Sequence, residues 1–210
     1  MKDLLELAEM AWQGELDTIF EHHPVHTFYK GSTELDTDLL GIKGIAGFYI
    51  IDTGEGLVML DAGSVQDIQR AFLEVRNWRP KTPVVAAIFT HHHVDHIFST
   101  ELFEKESEEK GWPKLEVYAH SLMPDHFDRY LNTLGWNTAI NRRQFAINVP
   151  KFRWPHKYRY PDKIYDENLD FKKGNLTFEL HHARGETDDH TWVYIKERRI
   201  LVTGDLFIWA

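Results

Sequence analysis

The apolar run Val84-Val85-Ala86-Ala87-Ile88-Phe89 leads without a break into Thr90-His91-His92-His93-Val94-Asp95-His96. An uninterrupted apolar run of this length marks a strand buried on both faces, which a sheet covered by further layers provides. Loops that follow such strands carry chemistry on a rigid support. Side chains at i and i+2 of an extended segment point the same way, so His91 and His93 can close on one metal ion while His92 faces away. Asp95 and His96 follow where the chain turns and can reach a second ion nearby. The competing reading, a polar surface loop, leaves unexplained why Asp95-His96 sits directly behind a core strand.

The chain has no cysteine, which removes disulfides and thiolate metal sites. Any metal must therefore be held by His, Asp and Glu, a donor set that suits Zn(II) and also admits Fe and Mn. Histidine is abundant at 13 of 210 residues. A net charge of -9 disfavours nucleic acid as a partner, because phosphate backbones select for excess Lys and Arg. No apolar run is long enough to span a bilayer. Glu6, Glu9 and Glu15 interrupt the N-terminal segment where a secretory signal would be apolar, so a cytoplasmic protein is expected.

The spacing of apolar residues predicts a helix over 3–12, an edge strand over 26–30, and a hairpin of strands 46–52 and 57–60. Thr53-Gly54-Glu55-Gly56 supplies the hairpin turn. Further helices are expected over 65–78, 99–111 and 124–134, with strands over 84–89, 115–119, 176–182, 192–195 and 200–203. Residues 135–165 lose regular patterning. They are basic and aromatic, with Arg142, Arg143, Lys151, Arg153, Lys157, Arg159 and Lys163 opposed by Asp162. Strands mixed with helices imply a layered α/β (α+β) architecture.

His-x-His-x-Asp-His after an apolar strand resembles the signature of the metallo-β-lactamase fold superfamily. Leu60-Asp61-Ala62-Gly63, the helix after it, Arg184-Gly185-Glu186-Thr187 and Leu201-Val202-Thr203-Gly204-Asp205 agree with it in order and spacing. The resemblance runs from about Gly44 to Phe207. It implies a four-layer αβ/βα sandwich, in which residues 1–210 form one domain and 136–165 an irregular substrate-loop insertion. It also implies two metal ions, most simply Zn2+, held by His91, His93, Asp95, His96, Glu186 and Asp205. By the same resemblance Asp205 bridges the ions, and Asp61 supports the ligands without binding metal.

The sequence departs from the family at two points. Most members have histidine where this chain has Glu186, and glutamate there is similar to the alkylsulfatase branch. The residues alone leave His182 or His190 open as the third ligand instead, or as groups lying beside the site. The family's last ligand, a histidine well beyond the bridging aspartate, is not in the sequence. The expectation is that a C-terminal segment or a second polypeptide supplies it.

The chemistry implied is hydrolysis of an ester-type substrate by water activated between two ions, with Asp95 orienting the water or passing a proton. An anionic small molecule fits the basic segment, and Asn141, Arg142 and Arg143 resemble the sulfate-contacting stretch of alkylsulfatases. A sulfate ester is the first expectation, and a lactone, phosphodiester or β-lactam the alternative. From another class, an iron-dependent redox enzyme or a non-catalytic metal-binding subunit stays open.

Overall fold

Strand β5 (Val84–Ile88) is buried at all five positions. Burial on both faces requires a neighbour on each edge and a layer on each side. The computed structural model, which describes residues 6, 9–10, 12–15, 31–145, 147 and 151–207, supplies all four. Seven strands form the first sheet in sequence order: β1 (Ser32–Asp36), β2 (Leu39–Ile42), β3 (Phe48–Asp52), β4 (Leu57–Leu60), β5, β6 (Glu116–His120) and β7 (Lys163–Tyr165). Neighbours from β1 to β4 are antiparallel, and those from β4 to β7 are parallel. A second, antiparallel sheet has the order β11-β10-β9-β8, from β8 (Asn168–Lys173), β9 (Leu176–His182), β10 (Thr191–Ile195) and β11 (Ile200–Val202).

Side-chain alternation along the first sheet divides the core in two. Leu57 and Met59 of β4, Ala87 and Phe89 at β5, and Val117 and Ala119 of β6 face the helices. Val58, Leu60, Ala86, Ile88 and Tyr118 face the second sheet, where Leu176, Phe178, Leu180, Val193 and Ile195 meet them. Each fully buried side chain of this size is worth roughly 1.5–3 kcal/mol of burial, so two cores hold the central strands from both sides. The helices are α1 (Ile68–Trp78), α2 (Glu101–Lys110), α3 (Met123–Asn132) and α4 (Leu134–Gln144). The result is a mixed α/β sandwich of two sheets with four helices among the described residues. None of its helices is long and apolar enough to cross a membrane.

The two sheets also meet at their turns. Gly174, between β8 and β9, has φ +55°, and a Cβ there would fall 2.0 Å from the Thr53 carbonyl oxygen in the β3–β4 turn. Only glycine lets these backbones approach so closely in that conformation.

Several expectations shift. Of the N-terminal helix over 3–12, the described residues Glu6, Glu9, Met10 and Trp12 are helical, and the strand over 26–30 lies outside the described residues. Strands β1, β2 and β8 had no sequence counterpart. The segment read as irregular from residue 135 begins with α4, and the described residues between it and β7 (145, 147 and 151–162) are free of helix and strand. Helix α4 escaped notice because it lacks an apolar stripe: Thr138 is its one buried described residue, and Trp136 is exposed.

Residues 151–162 are nevertheless docked. The Asp162 carboxylate accepts from the Val117 amide of β6 at 2.9 Å, from Lys114 at 2.7 Å and from Arg159 at 2.6 Å. Arg159 also pairs with Glu104 of α2 at 2.6 Å. Burial pushes the Asp162 carboxyl up, but Lys114, the Val117 amide and Arg159 together bring it from the ordinary 3.8 down to about 2. A carboxylate depressed in the folded state contributes stability that is full above its unfolded pKa and lost as pH falls through its folded one. The stability difference between wild type and Asp162→Asn should therefore shrink as pH drops from about 4 towards 2. Denaturant titrations across that window check it, and a difference that stays constant would contradict the docking role.

Candidate metal centre

The histidines lie at the C-terminal ends of the parallel strands, where α/β sheets place their ligand crevices. Asp61, the first residue after β4, organises the loop that follows β5. Its carboxylate accepts from the Thr90 amide at 2.7 Å and the Thr90 hydroxyl at 2.9 Å, and meets His96 Nδ1 at 2.8 Å. Asp61 is buried and sits at φ +62°, a left-handed conformation that costs an aspartate little. The backbone is tied in the same place: the Asp61 amide donates to the Ile88 carbonyl at 2.8 Å and the Ala62 amide to that of His96 at 2.6 Å. With Nδ1 committed to Asp61, His96 presents Nε2 to the crevice.

Two groups of donors form there. His91, His93 and Glu186 each offer an atom within 4.8 Å of the others, and so do His91, His96 and Asp205. His93 Nδ1 lies 2.9 Å from Glu186 Oε2, and His91 Nε2 lies 3.3 Å from the same oxygen. His96 Nε2 lies 3.4 Å from Asp205 Oδ2 and 3.8 Å from Asp95 Oδ2. His91 belongs to both groups, which makes them one contiguous site. Asp95 stands beside the second group rather than within it. Glu186 comes from the turn after β9, and Asp205 from a single 3-10 turn after β11. Gly204 fixes that turn: it has φ +50°, and a Cβ there would lie 2.8 Å from Thr90 Cβ and 2.9 Å from His190 Nε2.

The electrostatics call for a cation. His91 Nε2 and His96 Nε2 are both buried without a hydrogen-bond partner, since the His91–Glu186 approach lacks hydrogen-bond alignment. Burial pushes His91 down, which favours the neutral, metal-binding form of the imidazole. His96 goes the other way: burial opposes its charge, but Asp61, Asp205 and Asp95 together push it well above the usual histidine range. The nearby His91 imidazole is the main cause that lowers Glu186, and burial of Asp205 is outweighed by His96, His91 and His190 together. Ionised carboxylates, a neutral imidazole and two orphaned buried nitrogens fit divalent metal, with imidazole and carboxylate donors of the kind zinc takes.

Of the three residues open for the third position beside His91 and His93, Glu186 is the one placed with them. His190 is fully buried, stacks on His91 with ring centroids 5.0 Å apart, and donates Nε2 to the Thr203 carbonyl at 2.9 Å. His182 bonds the Asp188 carbonyl at 2.8 Å and stacks on His120. Asn141, Arg142 and Arg143 fall in the last turns of α4, where the Asn141 amide donates to the Asn137 carbonyl at 2.9 Å.

Sequence reasoning passed over a third cluster. His92 Nδ1 meets Asp189 Oδ1 at 2.9 Å, its ring stacks on His126 at 3.9 Å, and Arg129 approaches its Nε2 at 3.1 Å. Asp189 is fully buried and also accepts from the Thr187 hydroxyl at 2.6 Å. Burial alone would raise its carboxyl, but His92 and Thr187 hold it well below the ordinary range. The available signal was His126, Arg129 and Tyr130 at i, i+3 and i+4 on one face of α3.

Comparison with known proteins places this geometry. The family model described as the metallo-beta-lactamase superfamily matches residues 46–208. An (R)-specific secondary-alkylsulfatase from Pseudomonas sp. is 31% identical over 127 residues, covering 58% of this chain and 19% of that protein. A linear primary-alkylsulfatase from Pseudomonas sp. is 22% identical over 173 residues, covering 75% of this chain and 32% of that protein. The chain thus spans about a fifth to a third of the length of these curated relatives. Among solved structures, the stereoselective inverting sec-alkylsulfatase Pisa1 from Pseudomonas sp. superposes with a TM-score of 0.66 at 19% identity, over 85% of this chain and 31% of that one. A metallo-beta-lactamase from Pontibacter korlensis gives 0.53 at 18% identity, over 82% of this chain and 70% of that one.

Filling the orphaned positions should stabilise the fold. A ligand at about 100 times its Kd adds about 2.7 kcal/mol. Titrating Zn2+ into metal-free protein is expected to raise the melting temperature, and a chelator to lower it again. A melting temperature indifferent to both would defeat the metal fit.

Proposed function

The chain belongs to the metallo-β-lactamase superfamily, and from that premise we propose that it is a metal-dependent hydrolase of an anionic ester, with a sulfate ester as substrate and zinc as the metal. Membership of the superfamily implies divalent metal, and both superfamily and alkylsulfatase relatives support a hydrolase acting on a small molecule. The observation that carries the reading is Glu186: its carboxylate approaches His91 and His93 together, and the sulfatase relatives are the curated proteins that this chain matches.

In this reading His91, His93 and Glu186 hold one ion, and His96 and Asp205, with Asp95 beside them, hold the other. Bound divalent metal there would supply Lewis acidity, polarising a substrate oxygen and bringing the pKa of water towards neutrality. The chain's own residues do the rest. Asp61 fixes the His96 ring by its bond to Nδ1, and Thr90 Oγ1, 3.0 Å from His91 Nδ1, does the same for His91. Asp95 keeps 30% of its side chain exposed, so it can take the proton of the attacking water and return it to the oxygen that leaves when the ester bond breaks. Fully buried Thr90 and His190 exclude solvent from beneath the ligands. The basic and aromatic segment 136–165, with Asn141, Arg142 and Arg143 on α4, forms the proposed wall of the substrate site.

Elemental analysis of the purified chain, paired with assays on alkyl sulfates, tests the reading. Replacing Glu186 with Ala should remove about one metal ion per chain and lower turnover at least about 100-fold, since even outer supports of a ligand are worth 10–100-fold. Full metal content in Glu186→Ala would overturn its place as a ligand. A metal-loaded wild type that leaves alkyl sulfates and other anionic esters intact would overturn the hydrolase assignment.

A further inference from the structure

Arg129 lies on α3, against His92 and Tyr130, and none of the ion pairs among the described residues includes it. Its Nη2 donates to His92 Nε2 at 3.1 Å. A nitrogen that accepts cannot carry the proton, so the proton of His92 sits on Nδ1 and donates to Asp189 Oδ1 at 2.9 Å. Asp189 is fully buried and is held in turn by Thr187, in the same turn as Glu186. The order Arg129 to His92 to Asp189 is therefore a directed relay that anchors a surface guanidinium to a buried carboxylate.

Among the described residues, His92 is the one hydrogen-bond partner of that guanidinium. Arginine has five N–H donors in a rigid fork, and the contact with His92 uses one of them. Arg129 is exposed, whereas His92 beneath it is only 3% exposed. The His92 ring lies 5.0 Å from the ring of His93. Arg129 thus bonds the imidazole whose ring lies next to that of His93.

A metal ion is a poorer occupant of this cluster, although His92, His126 and Asp189 offer atoms within 4.8 Å of one another. Both nitrogens of His92 are already engaged, His126 Nε2 is bonded to Asp188 at 2.7 Å, and the guanidinium would repel a second cation. An anion suits the same place. We propose that Arg129 recognises the anionic group of the substrate, and that the buried His92–Asp189 pair positions its guanidinium for that contact. The inference rests on the reading of the site as that of a hydrolase of anionic esters.

Binding of octane-1-sulfonate, compared with 1-octanol, to the metal-loaded full chain tests it without requiring turnover. A charge-assisted bidentate contact is worth enough to make Arg129→Gln at least about tenfold weaker for the sulfonate. Octanol affinity and metal content should stay at wild-type levels, because glutamine can still donate to His92. Arg129→Lys should recover part of the loss, and Asp189→Asn should show a smaller loss for the sulfonate alone. Equal losses for both probes, no loss for either, or a wild type that prefers octanol would each overturn the proposal. Because a sulfonate is not hydrolysed, the two readings separate. Binding that depends on Arg129 without turnover of any ester sinks only the hydrolase assignment. Turnover of sulfate esters with sulfonate binding indifferent to Arg129 sinks only the role of Arg129.

Discussion

The bond between Asp61 and the loop after β5 is the constraint on which the site depends. One carboxylate holds the Thr90 amide, the Thr90 hydroxyl and His96 Nδ1 at 2.7 to 2.9 Å. It reaches across the parallel β4–β5 pair at the point where both strands end. Parallel pairing puts the ends of β4 and β5 side by side, and the core on both faces keeps them there. Without that rigid edge, His91 and His96 would not be held with ring centroids 4.2 Å apart. Thr90 extends the constraint to the second sheet, because its carbonyl accepts the Thr191 amide at 2.7 Å. Glu186 and Asp205 thereby arrive at the same crevice from the other layer.

Stability is given up at this edge. Buried polar groups without partners cost about 1–3 kcal/mol each, and His91 Nε2, His96 Nε2, His190 Nδ1 and Asp189 Oδ2 are all in that position. Elsewhere Arg76 meets Glu106, with Nε donating to Oε2 at 2.7 Å. Arg70 Nη1, Arg76 Nη2, Ser99 Oγ, Ser107 Oγ and Trp154 Nε1 complete the unpartnered set among the described residues, and a cation would satisfy the two imidazole nitrogens of His91 and His96.

How much of this was legible follows from how local each signal is. The strand into Thr90–His96 and the 53–56 hairpin turn could be read directly, because apolar runs and paired glycines act over a few residues. The metal donors were legible through spacing and family resemblance, although they come together from separate layers. Strands β1 and β8 were hidden because they are half exposed, with patterns that mix apolar and charged residues. Helix α4 was hidden because its polar residues surround it. Arg129 lay beyond sequence reading for a different reason: its meaning comes from His92, 37 positions away, and that of His92 from Asp189, 97 positions further along. The basic stretch at Arg142 and Arg143 attracted notice by composition, which records charge but not what the charge touches.

Charge balance explains why an isolated arginine matters beside a metal centre. Asp61, Asp95, Glu186 and Asp205 bring four carboxylates to the crevice. Two divalent ions, as proposed, would do little more than neutralise them, so the centre itself would exert little net attraction on an anion at a distance. The rest of the chain would repel one, because the four carboxylates account for only part of the formal charge of -9. Glutamate in place of a neutral imidazole makes this worse, since it adds a negative charge at the first ion. A hydrolase with this ligand set that acts on an anionic ester needs a fixed positive group outside the ligand shell. Screening over about 8–10 Å means that the group must be close. Arg129 satisfies both demands, because His92 holds it next to His93 while no carboxylate among the described residues neutralises it. The buried Asp189 keeps His92 in the tautomer that accepts from Arg129, which is the positioning that the proposed role of Arg129 requires.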